Sequence, residues 1–244
     1  MNRTIAKAPQ IGFDRFIQRD WVAAALKVRV GNATPDELDQ LLSTAGLGIE
    51  AKAKTRTKLN ALALEPRAHL VDFIDRGAKL FAGVGAAVEV APFAWGAALA
   101  AYPYFARVAE FTGRLTSIQG DCSVAEVHRR MSEVYGDREV TKRATQAVLQ
   151  TQANWGAIAR VEKGKRLVRL PARTLTNDGM VAWLVEAALH YQQKPMPLAT
   201  LQSLAVIYPF IFDQPLAYLV SNSPTLEVRA EGSSDQFVAL RTLL

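Results

Sequence analysis

The 244-residue chain carries a single cysteine, Cys122, and only three histidines, His69, His128 and His190, set far apart. One cysteine excludes an intramolecular disulfide and a multi-cysteine metal site, and no HxxxH or HExxH spacing offers a zinc motif. The chain also lacks a GxxxxGK[ST] loop, a GxSxG elbow and a paired-carboxylate motif. Gly83-Val84-Gly85 matches part of a dinucleotide loop, but the third glycine and the strand–helix alternation around it are missing, so the match is read as chance. His128, beside Arg129-Arg130, reads as a surface or half-buried histidine, and Asp137 as a turn residue. The expectation is a non-enzymatic protein with no catalytic residue, no cofactor and no metal. The opening MNRTIAKAPQ has no apolar run of the signal-peptide kind, and a cytoplasmic setting is expected.

Excess charge is missing from most of the chain as well. Residues 138–173 hold nine Lys/Arg and two acids, a net of +7, whereas the other 208 residues hold 20 basic and 21 acidic. The whole-chain value of +6 therefore comes from this one window, and a surface so basic is the footprint of a polyanion binder. Hydrophobic residues make up 50% of the chain, enough to bury a core and unlike a disordered sequence.

The basic window has a shape. Val140, Ala144, Ala147, Val148 and Thr151 recur at helical spacing and predict a helix over 139–154 with one apolar stripe. Lys142, Arg143, Gln146 and Gln150 share the opposite face, and Leu149 falls on that polar side, where it would pack on another element. Trp155-Gly156 ends the helix, Gly156 supplying the left-handed conformation. The runs AIARVE and RLVRL then flank Lys163-Gly164-Lys165 as a β-hairpin. Upstream, Ser123 with Glu126 three residues on predicts a capping box opening VAEVHRRMSEVY. Helix, turn at Gly136-Asp137, basic helix and basic hairpin is the order of a winged helix-turn-helix, whose second helix enters the major groove of DNA. Without that order, the same residues would read as an amphipathic helix and a solvated surface hairpin.

The rest reads as mainly α. Residues 13–30 predict a first helix with Phe13, Phe16, Ile17, Trp21 and Ala24 or Ala25 on one face. Thr34-Pro35 opens a second that runs to about Ala45. Residues 49–64 form a third, with Lys52, Lys54, Arg56 and Lys58 as a weaker basic cluster spread around it. After a helix over 68–80 comes the one long apolar run, residues 80–105, with Glu89 its only charge. Hydropathy alone would mark it as a membrane span. Its Ala and Gly content, Pro92, Pro103 and the central acid predict two short buried helices instead. A helix over 103–117 leads into the winged module. Beyond it, Asn177 caps a helix over 179–192, short helices follow over 197–208 and 214–221, and LEVRA with DQFVAL closes a hairpin. This last unit is a smaller, less basic echo of the winged module, expected to dock or dimerise. The expected domains are a helical bundle (1–104), the winged helix-turn-helix (105–176) and a C-terminal helix-plus-hairpin module (177–244).

The segments GDREVTKRATQAVLQTQANWGAI (136–158) and SPTLEVRAEGSSDQFVAL (223–240) resemble the small accessory proteins of bacterial BREX phage-exclusion systems (BrxA-like). The resemblance covers about 41 residues. It implies a mostly helical, winged-helix, double-stranded DNA-binding protein in an antiviral defence setting, with other subunits of a defence complex as possible partners, and it transfers no site residue.

The expected partner is duplex DNA, not a membrane. Lys142, Arg143, Gln146 and Gln150 would face the major groove, with Gln146 and Gln150 as adenine readers. Lys163, Lys165 and Arg166 would hold phosphate or the minor groove, and Arg138, Arg160, Arg169 and Arg173 would lie along the backbone. The alternatives are a scaffolding subunit whose winged helix binds protein, a membrane-associated protein anchored by 80–105, and an RNA binder, for which no aromatic stacking platform is seen.

Overall fold

The computed structural model describes residues 10–83, 90–231 and 235–241. The protein is mainly helical. Helices α1 (Arg19–Arg29), α2 (Pro35–Thr44), α3 (Ile49–Leu59), α4 (Val71–Gly83) and α5 (Ala91–Ala101) form the first part. They are followed by α6 (Pro103–Gln119), β1 (Asp121–Ser123), α7 (Val124–Tyr135), α8 (Glu139–Asn154), β2 (Ile158–Val161) and β3 (Arg166–Arg169). The remainder runs β4 (Arg173–Thr174), α9 (Asp178–Gln192), β5 (Met196–Pro197), two 3₁₀ turns, β6 (Phe210–Ile211), α10 (Leu216–Asn222), β7 (Leu226–Glu231) and β8 (Asp235–Leu240). One cluster of buried side chains runs from Phe13 to Val238 through all three stretches.

The first helix is shorter than its periodicity predicts. Phe13 and Ile17 are fully buried but lie in an irregular segment, and α1 starts only at Arg19. The backbone there bonds to α8 instead of coiling. Ile17 donates its N–H to Thr151 Oγ1 (3.0 Å), Arg19 donates to Asn154 Oδ1 (2.7 Å), and Trp155 Nε1 donates to the Ile17 carbonyl (3.0 Å). A segment whose backbone groups are met elsewhere has no need of helical partners. By contrast α2 opens as its sequence predicts. Thr34 Oγ1 accepts from the Glu37 N–H and Glu37 Oε2 accepts from the Thr34 N–H (2.6 Å), with Pro35 in the first turn.

Three of the four cations of the weaker basic cluster on α3 are paired locally with carboxylates. Arg56 meets Asp39 at 2.6 Å, Lys58 meets Asp14 at 2.9 Å, Lys54 pairs with Glu50, and Lys52 bonds Ser43 Oγ at 2.9 Å.

All eleven residues of α5 are buried, and no helix among the described residues is long and apolar enough to cross a membrane. Glu89 and the Val84-Gly85 part of the glycine match lie outside the described residues. The small-residue composition has a packing cause. The indole of Trp183, from α9, is wedged between α4 and α5 and stacks on Phe73 with ring centroids 4.5 Å apart. A Cβ on Gly77 or Gly96 would come within 2.4 or 2.3 Å of that indole, so neither helix could approach with a larger residue.

Two stretches share one topology. In the first, α6, β1, α7, α8 and the β2–β3 hairpin form a sheet of order β1-β3-β2. In the second, α9, β5, a 3₁₀ turn (Leu198–Ser203), α10 and the β7–β8 hairpin form a sheet of order β5-β8-β7. In each, the short strand after the first helix pairs antiparallel with the last strand. The parallel pair β4–β6 ties the end of the first stretch to the second. The helix predicted over 197–208 is instead two 3₁₀ turns (Leu198–Ser203 and Ala205–Ile207) separated by Leu204 in an extended conformation. That break presents the Val206 carbonyl to Trp95 Nε1 at 2.9 Å, deep in the core.

Candidate nucleic-acid interface

Helix α7 is started by the predicted capping box. Ser123 Oγ accepts from the Glu126 N–H at 3.1 Å, and Glu126 Oε2 accepts from the Ser123 N–H at 2.8 Å. Those bonds hold the Glu126 carboxyl below the usual carboxylate range. The strand β1, three residues long and invisible to periodicity, places Asp121 beside the hairpin, where it bonds Arg166 at 2.7 Å.

Helix α8 buries a wider face than its apolar stripe. Ala144, Ala147, Val148 and Thr151 are buried as predicted and Leu149 is fully buried against another element as expected, but Val140 is 46% exposed. The extra width comes from hydrogen-bonded polar residues that an apolar count passes over. Tyr104 donates its hydroxyl to the Thr141 carbonyl (2.9 Å) and lies 2.8 Å from Thr145 Oγ1, while Tyr208 donates to Gln152 Oε1 (3.0 Å). Burial pushes the Tyr104 hydroxyl up to about 12, so it remains a neutral donor at physiological pH.

The outward face carries Glu139, Lys142, Arg143, Gln146 and Gln150. Lys142 reaches Asp137 at 3.4 Å and Arg143 reaches Glu139 at 2.9 Å, both exposed pairs worth little in water. Arg138, at the helix N-cap, is exposed and donates Nη2 to the Tyr135 carbonyl at 2.9 Å. Gln150 is exposed and free of side-chain hydrogen bonds to the described residues. Gln146, predicted beside it, is committed. Its Oε1 accepts from Arg160 Nη2 at 3.0 Å, and its Nε2 lies 3.3 Å from His128 Nε2. His128 is half-buried, and burial together with nearby Lys142 pushes its pKa down, favouring the neutral ring that can accept from the Gln146 amide. The sequence places His128 near the basic helix but gives no sign that α7, α8 and β2 meet at Gln146.

The hairpin turn is four residues, Glu162 to Lys165, closed by the Val161–Arg166 register. Glu162, Lys163 and Gly164 all have positive φ (52°, 56° and 83°), so the turn is left-handed before its glycine is reached. Lys163, Lys165 and Arg166 are exposed. Gly156 ends α8 at φ 77° as predicted. It also leaves room for Arg173, whose guanidinium lies 2.2 Å from where a Cβ would stand.

Three arginines of the window turn inward. Arg169 donates Nη2 to the Tyr208 carbonyl at 2.6 Å and lies over the Tyr208 ring, and Arg173 donates Nη1 to the Trp155 carbonyl at 3.2 Å. Arg160 is half-buried against Gln146. Side chains so engaged hold the hairpin and the following chain to the body of the protein, and they have fewer donors left for an outside anion. Cys122 lies buried in β1 opposite Leu167 of β3, where burial pushes its thiol up to about 12, leaving no reactive thiolate. Among the described residues no group of three His, Cys, Asp or Glu side chains could hold a metal ion. No family model matches the chain, and comparison with curated proteins and with solved structures finds no match either.

Proposed function

We propose that residues 103–169 act as a winged helix-turn-helix that binds duplex DNA and does no chemistry on it. The observation that carries the reading is the surface shared by α8 and the hairpin. Arg138, Lys142, Arg143, Lys163, Lys165 and Arg166 are all exposed, and the Arg160–Gln146 bond holds β2 beside the outward face of α8. In this reading α8 enters the major groove, with Lys142 and Arg143 beside the phosphates and Gln150 free to read an adenine edge. Gln146, held by Arg160 and His128, stands as a fixed neighbour, and the hairpin tip takes phosphate. Arg160, Arg169 and Arg173 serve the scaffold. The resemblance of residues 136–158 and 223–240 adds a setting, that of a cytoplasmic accessory component of a bacterial phage-defence system.

The test is an electrophoretic shift on a mixed-sequence duplex with the parent and with a Lys142→Glu/Arg143→Glu variant, circular dichroism confirming that both are folded. The parent shifts the duplex at low salt and the variant binds at least about a hundredfold more weakly, each reversed charge costing on the order of 1–3 kcal/mol. Equal binding by the two, or no shift by the parent, contradicts the reading.

A further inference from the structure

In the helical part of the molecule, several cations are neutralised pair by pair, although Lys27 and Lys79 stand exposed without an ion pair among the described residues. Arg29 meets Asp75 at 2.7 Å, Arg56 meets Asp39, Lys58 meets Asp14, and Arg107 and Arg114 both pair with Glu110. One concavity gathers several cations that lack such partners. It has a volume of about 420 Å³ and sits where the segment before α4, the α5–α6 corner, the C-terminal end of α9 and the β7–β8 hairpin converge. Five basic side chains line it: Arg67, His69, His190, Lys194 and Arg229. No carboxylate is among its lining residues. Arg229 is paired with Glu227 at 2.6 Å and His190 lies 3.6 Å from Glu186, so these two are partly compensated from outside the concavity. Arg67, His69 and Lys194 have no ion-pair partner among the described residues.

Local structure accounts for only part of this. Lys194 follows the C-terminus of α9, where the helix dipole favours a cation. Arg67 and His69 come from a different part of the chain, ahead of α4, and the dipole of α9 gives no reason for them to converge on Lys194. Arg67, His69 and Lys194 are exposed, and two cations and an imidazole around one hollow raise a local positive potential that an anion seated there would lower. Arginine, lysine and histidine together supply the planar fork, the point charge and the titratable donor that suit phosphate oxygens.

We propose that this concavity is a phosphate-binding site separate from the α8 surface, with Arg67 and Lys194 as its principal ligands and His69 and Arg229 at its rim. The phosphate belongs either to a small phosphorylated compound or to the backbone of a nucleic acid passing over the C-terminal module. The site does not depend on the α8 reading.

The full chain is titrated with pyrophosphate and, separately, with a duplex, while the imidazole Hε1 resonances are followed by NMR. Only three histidines exist, and a His69→Gln variant assigns the relevant signal. Pyrophosphate is expected to move the His69 signal saturably and to raise the thermal midpoint. An Arg67→Gln/Lys194→Gln variant should weaken its binding at least about tenfold, since it removes two charge-assisted hydrogen-bond donors. Lys142→Glu/Arg143→Glu should leave pyrophosphate binding intact, which separates this site from the α8 surface. A small-compound source is assigned if the Arg67/Lys194 variant loses pyrophosphate but keeps full duplex affinity. A nucleic-acid source is assigned if that variant also loses duplex affinity and the duplex moves the His69 signal. If neither ligand moves His69, or if the Arg67/Lys194 variant binds both like the parent, the proposal is wrong.

Discussion

The two topologically equivalent stretches, residues 103–169 and 178–240, run helix, short strand, helical segment, helix, hairpin, with the short strand paired to the last. They differ in what they do with the third helical position. In the first stretch it is the sixteen-residue α8, with two cations and Gln150 exposed on its outward face. In the second it is the seven-residue α10, LAYLVSN, with no charge at all and Tyr218 62% exposed. The second helical position has shrunk likewise, from α7 to a 3₁₀ turn, and the inserted chain sets the rings of Tyr208 and Phe210 edge-on to Trp95. One topology therefore serves two ends. The first copy leaves a long charged helix facing solvent, and the second uses its length to cover the core. Topology alone does not give a stretch its partner; the residues left outside do.

That contrast can be broken most severely at the third helix. Charge reversal at Lys142 and Arg143 should weaken duplex binding at least about a hundredfold. Tyr218→Glu/Ser221→Glu at the equivalent helix of the second stretch should leave it within about twofold, as rim substitutions away from a binding surface do. Comparable losses from the two variants, read by fluorescence anisotropy, would erase the distinction.

The first helices sharpen the likeness. Each buries one carboxylate in mid-helix. Glu110 of α6 holds Arg107 (2.9 Å), Arg114 and the Tyr191 hydroxyl (2.7 Å), and Glu186 of α9 holds Arg76 (2.5 Å) and the Thr225 hydroxyl (2.8 Å). Burial, reinforced by Glu110, pushes the Tyr191 hydroxyl up, so Tyr191 donates across the whole physiological range and links the two stretches. Glu110→Ala and Glu186→Ala should each cost about 1–3 kcal/mol, less than a fully buried pair because the arginine partners are partly solvated. Urea denaturation is the check; a change below about 0.5 kcal/mol in both would deny the carboxylates this role.

A smaller effect belongs to His128, which has no counterpart in the second stretch. Its folded pKa lies below the ordinary value near 6.5, so the unfolded chain binds the proton more readily. The stability this gives is present above about pH 6.5 and is lost as pH falls toward the folded pKa. Between pH 7.5 and 5.5 the parent should lose more stability than His128→Gln, and parallel curves for the two would count against it.

Much of this was legible in the sequence, and the failures have physical causes. The Thr34 cap followed by Pro35, the capping box at Ser123, the Asn177 cap and the glycine end of α8 were readable because each is a local rule met by adjacent residues. The start of α1 was not, because Ile17 and Arg19 find their backbone partners on α8, over 130 positions away. Val140 was placed in the buried stripe but is exposed, whereas Leu149 packs on another element as expected; α8 is covered on more than one side, and its inner polar residues are bonded across to Tyr104 and Tyr208. In the basic window, charge was readable residue by residue, but direction was not. Arg160, Arg169 and Arg173 point at Gln146, Tyr208 and Trp155, interactions that exist only once the hairpin has folded back.

That inward turn changes the number of cations that face outward. Nine lie in the window, and six remain exposed: Arg138, Lys142, Arg143, Lys163, Lys165 and Arg166. The most direct measurement is duplex affinity across a salt series. Neutralising about four to six phosphates, the protein should lose about a hundredfold to a thousandfold in affinity between 50 and 200 mM salt. Replacing Lys163, Lys165 and Arg166 with glutamine should flatten the log–log slope by about one unit for each phosphate no longer neutralised. A flat response in the parent, or a slope untouched by removing the hairpin cations, would mean that the exposed surface of α8 and the hairpin does not hold DNA.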